Sequence, residues 1–266
     1  MEHPGRDQPA FPDLSLRPAL THFFNFEIEA CNALLAARIR ERPQDSFVWA
    51  LSAAFTFYED AFASVIRWTE QERRHYTVAG FLQGQGVVLE KHRKLAVKTA
   101  LANATNHAEA ALARQPGAAE PLFALCLASV IKRDYNALAK KRWARSLDHA
   151  KEANRLGRRL LKSNPHAYDA YAVFGFSEYL MAQLPAVVRP FVEIPGITGS
   201  RRKAIEFCEI SAKSGVYCKE LARIMLIGLY SEVNRPDDAL RMMEELNQDF
   251  PGNTLFRTGL RIMKQP

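Results

Sequence analysis

Apolar and small residues recur at helical spacing along most of this chain, whereas signals typical of β-strands are weak. Four stops interrupt the helical pattern, and each is followed within a few residues by the start of another helical stretch. The stops are Pro43, Pro116, Pro165 and Pro251. Because proline cannot continue a helix, the pattern predicts an all-α chain of consecutive helices.

The clearest repeat covers residues 220–253, where two helical stretches flank a turn at 234–236. Its large, aromatic, small, large and closing positions are Leu226, Tyr230, Ala239, Met243 and Pro251. A small residue lets two antiparallel helices approach closely, and large residues fill the space beside it. This spacing resembles the tetratricopeptide repeat (TPR), a helix pair of roughly 34 residues.

The same spacing recurs upstream, most clearly after Pro165. There Phe174 and Gly175 fall in a first helix, and Ala204 and Cys208 fall in its partner. The resemblance implies an α-α superhelix, a TPR-like solenoid of about five helix pairs. A short C-terminal helix over Thr254–Met263 is expected to cap its last open face.

The second half of the chain supports a narrower resemblance. Its segments read NPHAYDAYAVFGFSEYL, PGITGSRRKAIEFCEISAKSG and LIGLYSEVNRPDDALRMMEELNQDFPGN. They are similar to a group of bacterial TPR-like helical repeat proteins of unassigned function, although Ser200 replaces an acidic residue of that group. The resemblance implies a fold and supplies no chemistry.

The pattern predicts one structural domain with one interruption. Residues 1–12 are polar and rich in Pro and Gly, so we expect a flexible N-terminal segment. Residues 13–266 form a single TPR-like domain. Within it, the Pro-rich segment 184–199 cannot be helical, yet it is too apolar for a solvated linker, and we expect it to pack onto something.

The formal charge of +7 is concentrated in one segment. Residues 132–162 hold eleven basic and three acidic residues, a net of +8, while the rest of the chain holds 25 basic and 26 acidic residues. No secretory signal precedes the first helix, and no apolar run reaches the ~18 residues of a membrane span. These features favour a cytoplasmic protein without a transmembrane segment; a mature fragment of an exported precursor is the alternative.

In a TPR-like array the first helix of each pair lines a concave face. That rule predicts an apolar and aromatic groove that binds a peptide or helix of a partner protein. Its candidate residues are Phe47, Phe57, Tyr58, Phe123, Leu127, Phe176 and Tyr179. Two alternatives stay open: segment 184–199 or a second copy of the chain, in a homo-oligomer, fills the groove. A third hypothesis places a small apolar ligand inside the array.

A basic helix over residues 140–162 is the second candidate surface, and it favours nucleic acid or another polyanion as an alternative partner. Its candidate residues are Lys141, Arg145, Arg155, Arg158, Arg159 and Lys162. The competing interpretation is a solvated outer face with ion pairs to neighbouring helices.

The sequence offers no pattern typical of catalysis, so we expect no enzyme, no cofactor and no metal. No histidine has a zinc-ligand partner at helical spacing, and Gln83-Gly84-Gln85-Gly86 lacks the Lys-Ser/Thr of a phosphate-binding loop. The four cysteines are interpreted as reduced core residues, with a Cys208–Cys218 disulfide as the alternative.

Overall fold

A computed structural model describes residues 14–66, 87–184 and 192–265 of the chain, and all the regular elements in these ranges are helical. The predicted all-α class is therefore confirmed. The α-helices, in chain order, are α1 Arg17–Phe24, α2 Ile28–Glu41, α3 Ser46–Ile66, α4 Lys91–Arg114, α5 Ala119–Asp134, α6 Trp143–Ser163, α7 Ala170–Gln183, α8 Arg201–Ser214, α9 Lys219–Glu232, α10 Pro236–Asp249 and α11 Thr254–Met263. The Gln83–Gly86 turn lies outside the described residues.

Helices that follow each other in the chain also pack together. The main pairs are α3 with α4, α5 with α6, α7 with α8, α8 with α9 and α9 with α10, while α11 packs on α10. Small residues sit at these crossings: Ala104, Ala153 and Ala239 are fully buried. These small positions of the sequence pattern therefore lie in the packed interior.

The α7–α8 crossing shows how little room there is. A Cβ atom added to Gly175 would lie 2.5 Å from the Cys208 Sγ and 3.0 Å from the Ala204 carbonyl oxygen. Only glycine allows α8 to approach α7 this closely. Cys208 and the other three cysteines are free and buried, so the alternative Cys208–Cys218 disulfide is not formed.

The basic helix begins later than the sequence pattern predicts. A π-helical turn, Tyr135–Ala139, follows α5, and Lys141 adopts a left-handed backbone with φ of 52°. Lys140 and Lys141 therefore precede α6, which begins at Trp143. The predicted start at residue 140 is wrong because these two conformations interrupt the helix.

The helix α1 contacts α9 and the turn between α10 and α11. The Arg17 guanidinium donates to both carboxylate oxygens of Glu220, at 2.7 and 3.1 Å. The Asn253 side-chain amide donates to the Phe24 carbonyl oxygen at 2.7 Å, and the Phe24 and Phe250 rings lie 5.6 Å apart. The helical array is therefore joined at its two ends.

Residues 192–199 of the Pro-rich segment pack against the C-terminal part of α7. Ile194 is buried together with Ala150 and Met181, and the Glu178 carboxylate accepts hydrogen bonds from the backbone N–H groups of Thr198 and Ser200. The apolar side chains of 185–191 lie outside the described residues.

Candidate functional site

A cavity of about 170 Å³ lies among α1, α3, α5, α7 and α9. Apolar side chains form most of its wall, and each of the five helices contributes to it. Several lining residues, including Phe62, Leu127 and Ile224, are only half-buried. The cavity is thus an apolar recess with a solvent-facing side.

Four of the predicted groove residues come together at this cavity: Tyr58, Phe123, Leu127 and Phe176 all line it. They belong to α3, α5 and α7, which the repeat pattern assigned to the concave face. These four residues, which are far apart in the sequence, therefore lie around one cavity.

The other three predicted groove residues lie in the packed core instead. Phe47, Phe57 and Tyr179 are 3%, 0% and 1% exposed. The Phe47 ring contacts the Tyr217 ring edge-on at 4.6 Å, and the Tyr179 hydroxyl donates to Glu232 at 2.6 Å. They do not line the cavity because neighbouring helices cover these positions.

Part of the aromatic wall was not anticipated from the sequence. Phe23 and Phe24 of α1 line the cavity beside Phe55 of α3, and the Phe23 and Phe55 rings stack at 4.3 Å. The repeat pattern gave α1 no position in the array. The only sequence signal for this contribution was the apolar run around Phe23-Phe24.

The cavity has one polar corner, formed by three side chains. The Arg133 Nε donates to one oxygen of the Asp134 carboxylate at 2.7 Å. The Tyr58 hydroxyl donates to the other oxygen at 2.6 Å. The Arg133 Cζ also lies over the Phe176 ring, 3.9 Å from its centre. The guanidinium is therefore held on two sides.

Arg133 has one donor group left over. It is 4% exposed, and its Nη1 is buried without a hydrogen-bond partner among the described residues. A buried donor without a partner costs free energy. Arg133 is a cavity-lining residue that sequence reasoning did not single out; it was counted only as part of the basic segment.

Two weakly acidic groups at the cavity, the Tyr58 hydroxyl and the Cys218 thiol, have raised pKa values. Burial, and then the Asp134 carboxylate, raise the pKa of the Tyr58 hydroxyl well above its usual value. Burial likewise raises the pKa of the Cys218 thiol, so it carries little thiolate at neutral pH. Neither group is prepared to act as a nucleophile.

A second, polar groove of about 450 Å³ lies between α4, α5 and α6. Lys132 donates to the Thr105 hydroxyl at 3.2 Å, and burial lowers the pKa of its amine. Burial, and then Lys132, lower the pKa of His149. Glu109 and Glu152 also line this groove, which therefore mixes charges of both signs.

Several of the predicted basic residues contact their own chain. Arg155 pairs with Glu152 at 2.6 Å, Arg158 donates to the Pro195 carbonyl, and Arg159 donates to the Pro116 carbonyl at 2.6 Å. Lys141, Arg145 and Lys162 are exposed. Trp143, at the start of α6, is 51% exposed beside them.

Within the ranges described, no three His, Cys, Asp or Glu side chains are grouped as a metal ion would need. None of the helices in those ranges is long and apolar enough to cross a membrane. No protein-family model, curated protein or solved structure matches the chain.

Proposed function

We propose that this protein is a binding module without catalytic activity, built as a TPR-like superhelix, that holds an apolar group of its ligand in the central cavity. The observation that carries the proposal is the meeting of Tyr58, Phe123, Leu127 and Phe176 around one recess. An apolar recess with a few placed polar groups is the usual form of a ligand site.

The size of the cavity limits which ligands can fit it. An apolar protein cavity of about 150 Å³ is known to hold one benzene molecule, and the cavity here measures about 170 Å³. An α-helix is about 10 to 12 Å wide with its side chains. The site therefore suits one ring or a short aliphatic chain, and a partner protein would insert a single side chain instead of a helix.

The proposal is tested with toluene, an uncharged ligand of the right size. Toluene added to the full chain should show saturation transfer from the protein in NMR. Leu127→Trp should weaken its binding at least tenfold, because a larger side chain fills the recess that Leu127 lines. Leu34→Trp is the matched control, since Leu34 is exposed on α2 and does not line the cavity. Binding that survives Leu127→Trp unchanged, or is absent from the unmodified chain, would contradict the proposal.

Polyanion binding by the start of α6 is a second candidate function, and the exposed Trp143 is the observation that favours it. Aromatic side chains serve as stacking platforms for single-stranded nucleic acid, and phosphate contacts make such binding weaken as salt rises. An oligonucleotide should then bind less tightly at about 200 mM than at about 50 mM salt. Trp143→Ala should weaken binding by about 1 kcal/mol or more, whereas Arg202→Ala, on exposed α8 surface, should not. Affinity that is independent of salt would rule this function out.

A further inference from the structure

The polar groove between α4, α5 and α6 has two unlike ends. One end is polar, and each helix gives it one residue: Thr105, Lys132 and His149. The other end is apolar and lies seven residues away along each of the same helices: Leu112, Leu125 and Leu156. Seven residues are two helical turns on one face of a helix, so the ends are about 10 Å apart. The groove suits an elongated molecule with one polar and one apolar end.

The polar end holds one cation without a charged partner in contact. The Lys132 ammonium is half-buried and donates to the neutral Thr105 hydroxyl at 3.2 Å. It forms no direct ion pair with any residue that the structure describes. Burial lowers the pKa of the Lys132 amine, and then the Glu109 and Glu152 carboxylates oppose this from a distance. An anionic group of a ligand would supply the missing partner.

The middle of the groove holds one carboxylate that is also open. Glu109 lies four residues beyond Thr105 on α4, about 6 Å along the helix, and its side chain is exposed. Like Lys132, it forms no direct ion pair within the described ranges. Glu152 is different, because Arg155 donates to both of its oxygens, at 2.8 and 2.6 Å. The groove therefore presents one free positive and one free negative charge, one turn apart.

We infer that the polar groove binds an apolar α-amino acid as its zwitterion, with the ligand carboxylate on Lys132, its ammonium on Glu109 and its side chain against the three leucines. The groove measures about 450 Å³, within the range of about 300 to 1,000 Å³ that is usual for ligand sites. It shares no lining residue with the apolar cavity, so this inference does not depend on the proposed function.

A zwitterion matches the charges better than a simple anion or cation does. An anion on Lys132 would leave Glu109 unpaired beside it, and a cation on Glu109 would leave Lys132 unpaired in the same way. Burial, and then Lys132, lower the pKa of His149, so this ring adds little positive charge that a second anionic group could use. One ligand with both charges pairs both residues, and its charge-assisted hydrogen bonds are the stronger kind.

The test compares L-leucine with two analogues by calorimetry on the full chain. Leucinamide lacks the carboxylate, and N-acetylleucine lacks the ammonium. At about pH 7 the free amines are largely protonated, and L-leucine should bind at least tenfold more tightly than either analogue. Glycine keeps both charges but has no side chain to bury, so it should also bind at least tenfold more weakly than L-leucine.

Two substitutions assign the charges to their residues. Lys132→Gln should remove the advantage of L-leucine over leucinamide, and Glu109→Gln should remove its advantage over N-acetylleucine. A general loss of stability would not separate the analogues in this way. Lys151→Gln is the matched control, because Lys151 is exposed on α6 and does not line the groove.

The comparisons on the unmodified chain decide the inference even if a variant fails to fold. If L-leucine does not bind, or binds no better than leucinamide or N-acetylleucine, the zwitterion assignment is overturned. Binding of glycine as tight as that of L-leucine would overturn the role of the three leucines. Toluene binding in the apolar cavity is measured separately, so the proposed function stands or falls on its own test.

Discussion

At the scale of single residues, the α7–α8 crossing offers a sharp test of the packing. Gly175→Ala would place a methyl group 2.5 Å from the Cys208 Sγ, so the helices must separate. We expect the free energy of unfolding to fall by about 1 to 3 kcal/mol, measured by urea denaturation. Cys208→Ala in the same chain should recover part of this loss, because it removes the closest atom.

Gly117→Ala is the control for that substitution. Its added Cβ would meet only the Ser163 Cβ, at an ordinary 3.7 Å, so stability should hardly change. An equal loss of stability in Gly117→Ala and Gly175→Ala would show that helix contact at Gly175 is not the cause.

Some of the residues that line the cavity could be predicted from the sequence, and others could not. Helical spacing predicts which face of a helix a residue occupies, and this was enough for Tyr58, Leu127 and Phe176, which line the cavity. It does not show which neighbouring helix covers that face, so Phe47 and Phe57 were predicted as groove residues and lie in the core. Arg133 had a usable signal, an arginine placed directly before an aspartate at the end of an apolar helix.

At the scale of helices, local signals predicted the ends well. The helices α2, α4, α6 and α10 end at Glu41, Arg114, Ser163 and Asp249, each two residues before a predicted proline stop. Proline acts through its own ring and its missing N–H, so no tertiary contact is needed to see this. The π-helical turn after α5 has no such local signal. Its Tyr135 and Leu138 are buried by contacts with the rest of the protein, which a local pattern does not show. The start of α6 was therefore predicted too early.

At the scale of the whole molecule, the joined ends could not be predicted from local pattern. Arg17 and Glu220 are 203 residues apart in the chain, and Arg17 lies outside the predicted repeats. An extended repeat array needs no contact between its first and last elements, because each repeat touches only its neighbours. The contact of α1 with α9 and with the α10–α11 turn is a property of the folded chain alone.

This closure should contribute measurably to stability. Arg17→Gln removes the partner of Glu220, whose side chain is 4% exposed, and an unpaired buried charge is costly. We expect the free energy of unfolding to fall by about 3 kcal/mol, and hydrogen exchange to show that the amides of α1 lose protection before those of α5. Adding Glu220→Gln should return part of the stability, because it removes the unpaired charge. The exposed Arg202–Glu206 pair on α8 supplies the control, since Arg202→Gln should change little. If Arg17→Gln were as neutral as Arg202→Gln, the Arg17–Glu220 ion pair would not be a source of the stability that joins the two ends.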